Sequence, residues 1–301
     1  MIDHPAPTDE GRHPASAHQF WNESWYFDFH DAAGTFGGYV RLGLYPNLGV
    51  SWFWACVVGA SRPLVVVCDH EVPLPRGDEL EVRASGLWSD ISCLESFERF
   101  SVQLEAFALG IDDPVEMYGR MRGDQVPLGF DLEWETDGGV FGYPGGITRY
   151  EAPCVVHGEI LVGDEKIDFD GFGQRDHSWG VRDWWAFPWC WFSARLESGE
   201  RVHSVDLGAG AGIGYHRRDG EFVATHECLS SASVGRDGLA DAAEVSVAGT
   251  RYDVRPIAWA PVVLRAPDGR ASRLPRALVQ VETAASGRGA GWIEWNQPFT
   301  A

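Results

Sequence analysis

Apolar and polar residues alternate in short runs along nearly the whole chain, and Gly, Pro, Asn or Asp interrupts them at short intervals. "GGYVRLGLYP", "VSWFWACVVG" and "RPLVVVCDHEV" form one such series. "WCWFSARLESGERVHSVDLGAG" reads as a hairpin of two alternating stretches joined at "ESGE". "GEFVATHECLSSASV" and "AEVSVAGTRYDVRP" continue the pattern beyond residue 220. A period of two places successive side chains on opposite faces of a strand, and many short strands with turn residues between them predict barrels or sandwiches. Only Asp112 to Met121 has any helical character, worth one or two turns. The expected fold class is all-β with little helix.

The segment "DGGVFGYPGGITRY" at 137–150 carries five Gly and one Pro, and it predicts a boundary. The chain then divides into an N-terminal arm at 1–18, one β unit at 19–145 and a second at 146–301. Each unit begins with a Glu beside an extended run, Glu23 in "NESWYFDF" and Glu151 in "YEAPCVVHGEI", and passes into aromatic-rich hairpins.

Composition narrows the function. The net charge is −20 and Lys166 is the one lysine, so the surface disfavours nucleic acid and anionic membranes, both of which need basic patches. No run approaches the roughly 18 apolar residues of a membrane span. The opening "MIDHPAPTDEGRHPASAH" lacks the apolar core of a secretion signal, reads as flexible, and predicts a cytoplasmic protein. Six cysteines without a C-x-x-C pair behave as small hydrophobes, and neither a disulfide framework nor a zinc site is expected.

Fourteen Trp is a high count, and several stand beside charge. "GFGQRDHSWGVRDWW" at 171–185 places two Arg-Asp pairs, one His and three Trp within fifteen residues. It is not a nucleophile elbow, because Asp176 occupies the position that needs Gly. "LGAGAGIGYH" is not a dinucleotide loop, since Ile213 and Tyr215 stand where a third Gly is required, and it reads as a Gly-rich strand permitting close backbone approach. No cofactor or metal is expected; "HEC" at 226–228 has no matching second pair.

Strand alternation puts Asp176 and Ser178 on one face, with Arg175, His177 and Trp179 on the other. Arg175 and Arg182 can clamp Asp176 and Asp183 in several ways. One reading is an ion-pair network fixing a barrel corner. The other is a pocket in which one carboxyl, raised by burial or lowered by Arg, is a Brønsted acid. Which of Asp176 and Asp183 that is stays open. His177 is the candidate base or water-positioner, and Arg175 the accompanying cation. Trp179, Trp184 and Trp185 are candidate walls, as are Trp25, Tyr26 and Tyr150. Trp52 and Trp54 share one strand face, inside or outside a barrel together. Glu23 and Glu151 are candidates to point inward. Aromatic faces attract cations, so such a pocket suits protonation of an alkene and capture of the carbocation by water.

"DGFGQRDHSWGVRDWW", preceded by "YEAPCVVHGEI", resembles the R-D-H-S-W-G signature of bacterial proteins related to carotenoid 1,2-hydratases and AttH-like lipocalin-type proteins. The resemblance is tight over 150–185 and loose over most of the rest. It implies two lipocalin-like antiparallel barrels in tandem, and hydration, dehydration or cyclisation of hydrophobic, chiefly isoprenoid, molecules without a cofactor. The matched residues are Arg175, Asp176, His177, Trp179 and Asp183. The expected activity is a hydratase or dehydratase acting on a C=C bond or tertiary alcohol of a terpenoid- or steroid-like molecule. The alternatives are a non-catalytic lipid carrier, or a cyclase or isomerase using the same pocket. The expected partner is that hydrophobic small molecule, and a homodimer is compatible with the sequence.

Overall fold

The computed structural model describes residues 4–284 and 287–300, which build two curled antiparallel sheets, lipocalin-like barrels in tandem. The first sheet contains β1 (Trp21–His30), β2 (Phe36–Tyr45), β3 (Val50–Gly59), β4 (Arg62–Val72), β5 (Val82–Ala84), β6 (Leu87–Glu95), β7 (Arg99–Ile111), β8 (Asp124–Thr136), β9 (Phe141–Gly142), β10 (Arg149–Val162) and β11 (Glu165–Val181). Their order is β4-β3-β2-β1-β11-β10-β8-β7-β6-β5, with β9 beside β10. Leu64–Val66 of β4 also pair with Leu109–Ile111 of β7, and this pairing closes the sheet on itself.

Alternation along β1 explains what fills the ring. Trp25, Phe27 and Phe29 point inward, where they meet Val40, Leu42, Phe53, Phe100, Phe130 and Trp134, all buried. Phe27 and Phe29 contact Trp134 edge-on at 5.3 and 6.2 Å. The interior of the first barrel is therefore a packed core rather than a hollow. Tyr26 and Tyr39 sit on the opposite faces of their strands, outside the ring.

The second sheet contains β12 (Trp189–Leu196), β13 (Arg201–Gly208), β14 (Ala211–Arg218), β15 (Glu221–Thr225), β16 (Cys228–Val234), β17 (Ala240–Val247), β18 (Thr250–Trp259), β19 (Val262–Arg265), β20 (Arg270–Leu274), β21 (Arg276–Thr283) and β22 (Gly287–Thr300). Its order is β15-β14-β13-β12-β22-β21-β18-β17-β16, and β20 joins β19 to β22. The expected hairpin is β12–β13, with Arg195 opposite Arg201. The Gly-rich run is β14. A side chain at Gly212 would stand 2.6 Å from the Cβ of Cys228, so these glycines let β16 lie against β14. The weak helix expected at 112–121 is a single 3₁₀ turn, Pro114–Tyr118, capped by the Asp113 carboxylate on the N–H of Val115. All six cysteines are free thiols.

Two expectations need correction. The sheet changes at residues 182–188, not near 146, because β10 and β11 pair with each other and β11 pairs with β1. The Gly-rich segment at 137–150 lies within the first sheet, carrying the short strand β9 and running into β10. Nor is the N-terminal arm free of the fold. Glu10 is only 5% exposed, because the first barrel offers its carboxylate a buried cation.

The two sheets share an apolar layer. Tyr39, Trp52, Trp54, Leu64, Trp185, Val262, Leu264 and Trp292 pack into one cluster drawn from both. Trp292 donates to the carbonyl of Phe29 at 3.1 Å, and Tyr39 to that of Ala260 at 3.2 Å.

Candidate active site

Strand β11 separates two polar centres, and the alternation read from its sequence decides which residue enters each. Arg175, His177 and Trp179 face the N-terminal arm. Arg175 is 2% exposed; its Nη2 lies 3.0 Å from Glu10 Oε1, and its Nη1 is 3.3 Å from the Tyr150 hydroxyl. His177 turns Nδ1 to the carbonyl of Asp9 at 2.7 Å and Nε2 to Glu23 Oε1 at 3.1 Å, and it stacks on Trp25. His13 of the arm reaches the same Glu23 oxygen at 2.6 Å and stacks on Trp179, with ring centres 3.9 Å apart. These contacts clamp the arm over one end of the first barrel. Both ring nitrogens of His177 are engaged by the protein, so neither faces a ligand.

Asp176 and Ser178 face the other way, into a cavity of about 220 Å³ between the sheets. The first sheet contributes Ser24, Tyr26, Arg41, Arg149 and Asp176. The second contributes Trp189, Trp191, Val205, Arg276 and Glu294, and the connecting segment contributes Arg182 and Trp184. Val181, Phe187 and Leu207 line it while remaining 52, 49 and 38% exposed, which gives the entrance an apolar rim.

Behind Asp176 lies a buried network. Arg149 Nη2 stands 2.9 Å from Asp176 Oδ2 and 2.6 Å from Glu151 Oε1. Glu151 also accepts from Trp191 Nε1 at 3.2 Å and from the amide of Gln174 at 2.9 Å. The Nδ1 of His203 lies 3.0 Å from the carbonyl of Phe192; as the N–H there, it leaves Nε2 to accept from the Tyr143 hydroxyl at 2.7 Å. Burial and the neighbouring Arg149 hold the His203 imidazole neutral, its pKa well below the ordinary range. Burial pushes the Asp176 carboxyl up to about 6; Arg149 opposes the shift and Glu151 adds to it. Glu294, ion-paired with Arg276, is raised by burial as well.

The candidate residues thus separate. Asp176, Tyr26 and Trp184 line the cavity, and Glu151 stands directly behind it. Asp183 lies at the edge, half-exposed, with both oxygens 2.9 Å from Arg270 Nη1, so it is held as a surface ion pair. Trp52, Trp54 and Trp185 belong to the apolar layer between the sheets; Trp185 donates to the carbonyl of Leu264 at 3.2 Å. Trp52 and Trp54 cover the outside of the barrel, not its interior. Trp25, Glu23, His177, Arg175 and Trp179 belong to the arm clamp. The motif did not point to Arg41, Arg149, Tyr143, His203, Arg276 or Glu294. Apart from Tyr143, which follows β9, they are polar residues on strands, and which face each strand turns to the cavity is visible only once the strand pairing is known.

Two groups among the described residues have the spacing of cation ligands. The ligand atoms of His13, Glu23 and His177 lie within 4.8 Å of one another, but the hydrogen bonds of the clamp already join them. Glu133, Glu135 and His157 lie on partly or fully exposed surface.

Comparison with known proteins follows the architecture. The family model described as "Domain of unknown function (DUF7064)" matches residues 6–299. No curated protein matches the chain. A candidate AttH protein from Nitrosomonas europaea is 14% identical, with a TM-score of 0.64 over 97% of this chain and 96% of that one. CghA solved with Sch210972 is 12% identical, with a TM-score of 0.59 over 94% of this chain and 89% of that one. Kievitone hydratase from Nectria haematococca is 10% identical, with a TM-score of 0.56 over 93% of this chain and 90% of that one. At these identities the likeness is one of fold.

Proposed function

The chain belongs to the DUF7064 family, and within it we propose that this protein is a hydratase- or cyclase-type enzyme whose active site is the cavity between the sheets. Its substrate is a hydrophobic terpenoid- or steroid-like molecule, and the chain's own residues carry the chemistry. The observation behind this reading is Asp176, a carboxyl buried against an aromatic cavity and kept protonatable near neutral pH.

The step balances with one acid. Asp176 gives its proton to one alkene carbon as the π electrons form the new C–H bond, leaving a carbocation on the other carbon. Trp184, Trp189, Trp191 and Tyr26 present ring faces or edges around that charge. Water forms the C–O bond, and its surplus proton returns to the Asp176 carboxylate. Run backwards this is dehydration; capture of the cation by a second double bond forms a ring C–C bond and a new cation, whose loss of a neighbouring proton to the Asp176 carboxylate completes a cyclisation. Arg149 and Glu151 orient the carboxyl from behind. Two neighbours of the same fold agree with a small-molecule site: one is named a hydratase, and CghA was solved with Sch210972.

A carrier would also use the apolar rim. The buried Asp176–Arg149–Glu151 network favours chemistry, because buried charge costs desolvation even when paired and a carboxyl shifted by burial at the wall of a cleft is the usual mark of an acid–base site. Incubation with candidate alkenes in heavy-oxygen water tests the difference. Label in the alcohol, lost in Asp176→Asn, is expected. Bound but unchanged alkene would favour the carrier.

A further inference from the structure

The cavity holds more positive charge than it pairs. Four guanidinium groups line it, those of Arg41, Arg149, Arg182 and Arg276. Arg149 is matched by Asp176 and Glu151, and Arg276 by Glu294. Asp183, at the edge, is matched from outside by Arg270. Arg41 and Arg182 have no carboxylate of their own among the described residues. Arg41 is 3% exposed, and the protein group beside its guanidinium is the neutral hydroxyl of Tyr45, while Nη1 and Nη2 make no well-aligned hydrogen bond to the protein; nor does Nε of Arg182. Burial and the repulsion of Arg149 and Arg41 pull Arg182 down to about 10. An Arg side chain does not escape this cost by shedding its proton at neutral pH. In a chain of net charge −20, acidic partners are plentiful, yet the carboxylates nearest Arg41 and Arg182, those of Asp176 and Glu294, are already paired with Arg149 and Arg276.

The local structure keeps the Arg41 guanidinium in place. It lies over Trp54 at 4.5 Å and Trp184 at 5.3 Å, against two indole faces that hold it by cation–π attraction. Two residues along the same face of β2 is Gly43, where a Cβ would stand 2.5 Å from Arg41 Nη1. The missing side chain is what allows the guanidinium to lie there.

We propose that the molecule received in the cavity carries an acidic oxygen, a carboxylate or an ionised enol, and that Arg41 and Arg182 hold it while the apolar rim and Trp walls take the hydrocarbon. This rests on the cavity being the ligand site, as argued above. A planar guanidinium matches a carboxylate with two parallel N–H donors, which gives orientation as well as attraction. The anion neutralises the surplus cations and fixes the hydrocarbon in one direction relative to Asp176.

A matched pair of probes separates the charge from the hydrocarbon: naphthylacetate and the neutral naphthylethanol, titrated by calorimetry at moderate salt. The native protein is expected to prefer the acid by about tenfold or more, the range of a charge-assisted hydrogen bond in a buried site. Arg41→Gln and Arg182→Gln should each remove most of that preference while leaving naphthylethanol within about twofold. Arg41→Lys, which keeps the charge without the fork, should retain part of it. Native protein that shows no preference, or glutamine variants that weaken both probes equally, would overturn the acidic-oxygen assignment. The position of the site is read separately through Leu207→Trp, which fills the half-exposed rim. If neither probe binds, or if both bind that variant as before, the cavity itself is not the ligand site, and the assignment falls with it.

Discussion

Asp176 and His177 are consecutive in the chain, yet their side chains lie on opposite sides of β11, one in the cavity between the sheets and the other bonded to Glu23 and the N-terminal arm. A motif that reads as one cluster of acid, base and cation therefore serves two purposes. The strand period of two turns Asp176 into the cavity and Arg175 and His177 towards the arm they hold down.

Replacing His177 should accordingly cost stability and spare the cavity. His177→Asn takes its partner from the Asp9 carbonyl and leaves Glu23 with His13 alone, and a loss of about 1–3 kcal/mol is expected. Chemical denaturation measures the loss. Binding of a neutral hydrophobic probe in the cavity should stay within about twofold, and a collapse of that binding would contradict the two-faced assignment.

Activity should follow the protonated form of Asp176. With the carboxyl raised to about 6, turnover is expected to be level below that pH and to fall as pH rises through it. The stability sign is the same. The ordinary carboxyl value is 3.8, so between there and about 6 the folded state holds a proton that the unfolded chain has released. This group's contribution is complete below the unfolded value and is lost as pH climbs through the folded one. Subtracting the profile of Asp176→Asn from that of the native protein isolates the effect. A difference profile that rises with pH across this window would refute the assignment.

The arm should come loose when Glu10 is removed. Arg175 is then left buried without a counter-charge, and breaking such a pair costs about 3–5 kcal/mol. Glu10→Ala should lower the melting temperature and expose the arm to limited proteolysis before any barrel strand is cut. Equal protease resistance in the two proteins would show that the arm is held by something else.

Gly212→Ala tests the curl of the second sheet. The added methyl would meet the Cβ of Cys228 at 2.6 Å, so β14 and β16 must part, and overpacking of this kind costs about 1–3 kcal/mol. The corresponding change at Gly199, where a Cβ meets nothing within 4 Å, separates the clash from backbone strain, since Gly199 has φ +90° and Gly212 has no such φ. A silent Gly212→Ala would mean that the two strands do not pack this closely.

Much of the architecture was legible in the chain because alternation is a local property. The β12–β13 hairpin, the Gly-rich strand β14 and the division of 175–179 between two faces all follow from spacing of two. The position of the sheet change was not legible. The glycines at 137–150 look like a linker, and only the long-range pairing of β11 with β1 shows that β10 and β11 complete the first barrel. The cavity was half-visible for the same reason. Asp176, Trp184 and Glu151 sit in or near the motif, whereas Arg41, Arg276 and Glu294 reach it from strands roughly ninety or more residues away in sequence. No local pattern distinguishes an arginine bound for a cavity from one bound for solvent.

The filled interior of the first barrel has a consequence for how this scaffold can change. Its stability resides in phenylalanines and tryptophans packed inside the ring, while one wall of the cavity is drawn on the outer faces of strands of the same ring. Specificity can therefore be rewritten at positions that contribute little to holding the ring together, and one architecture can take up new molecules without first being rebuilt.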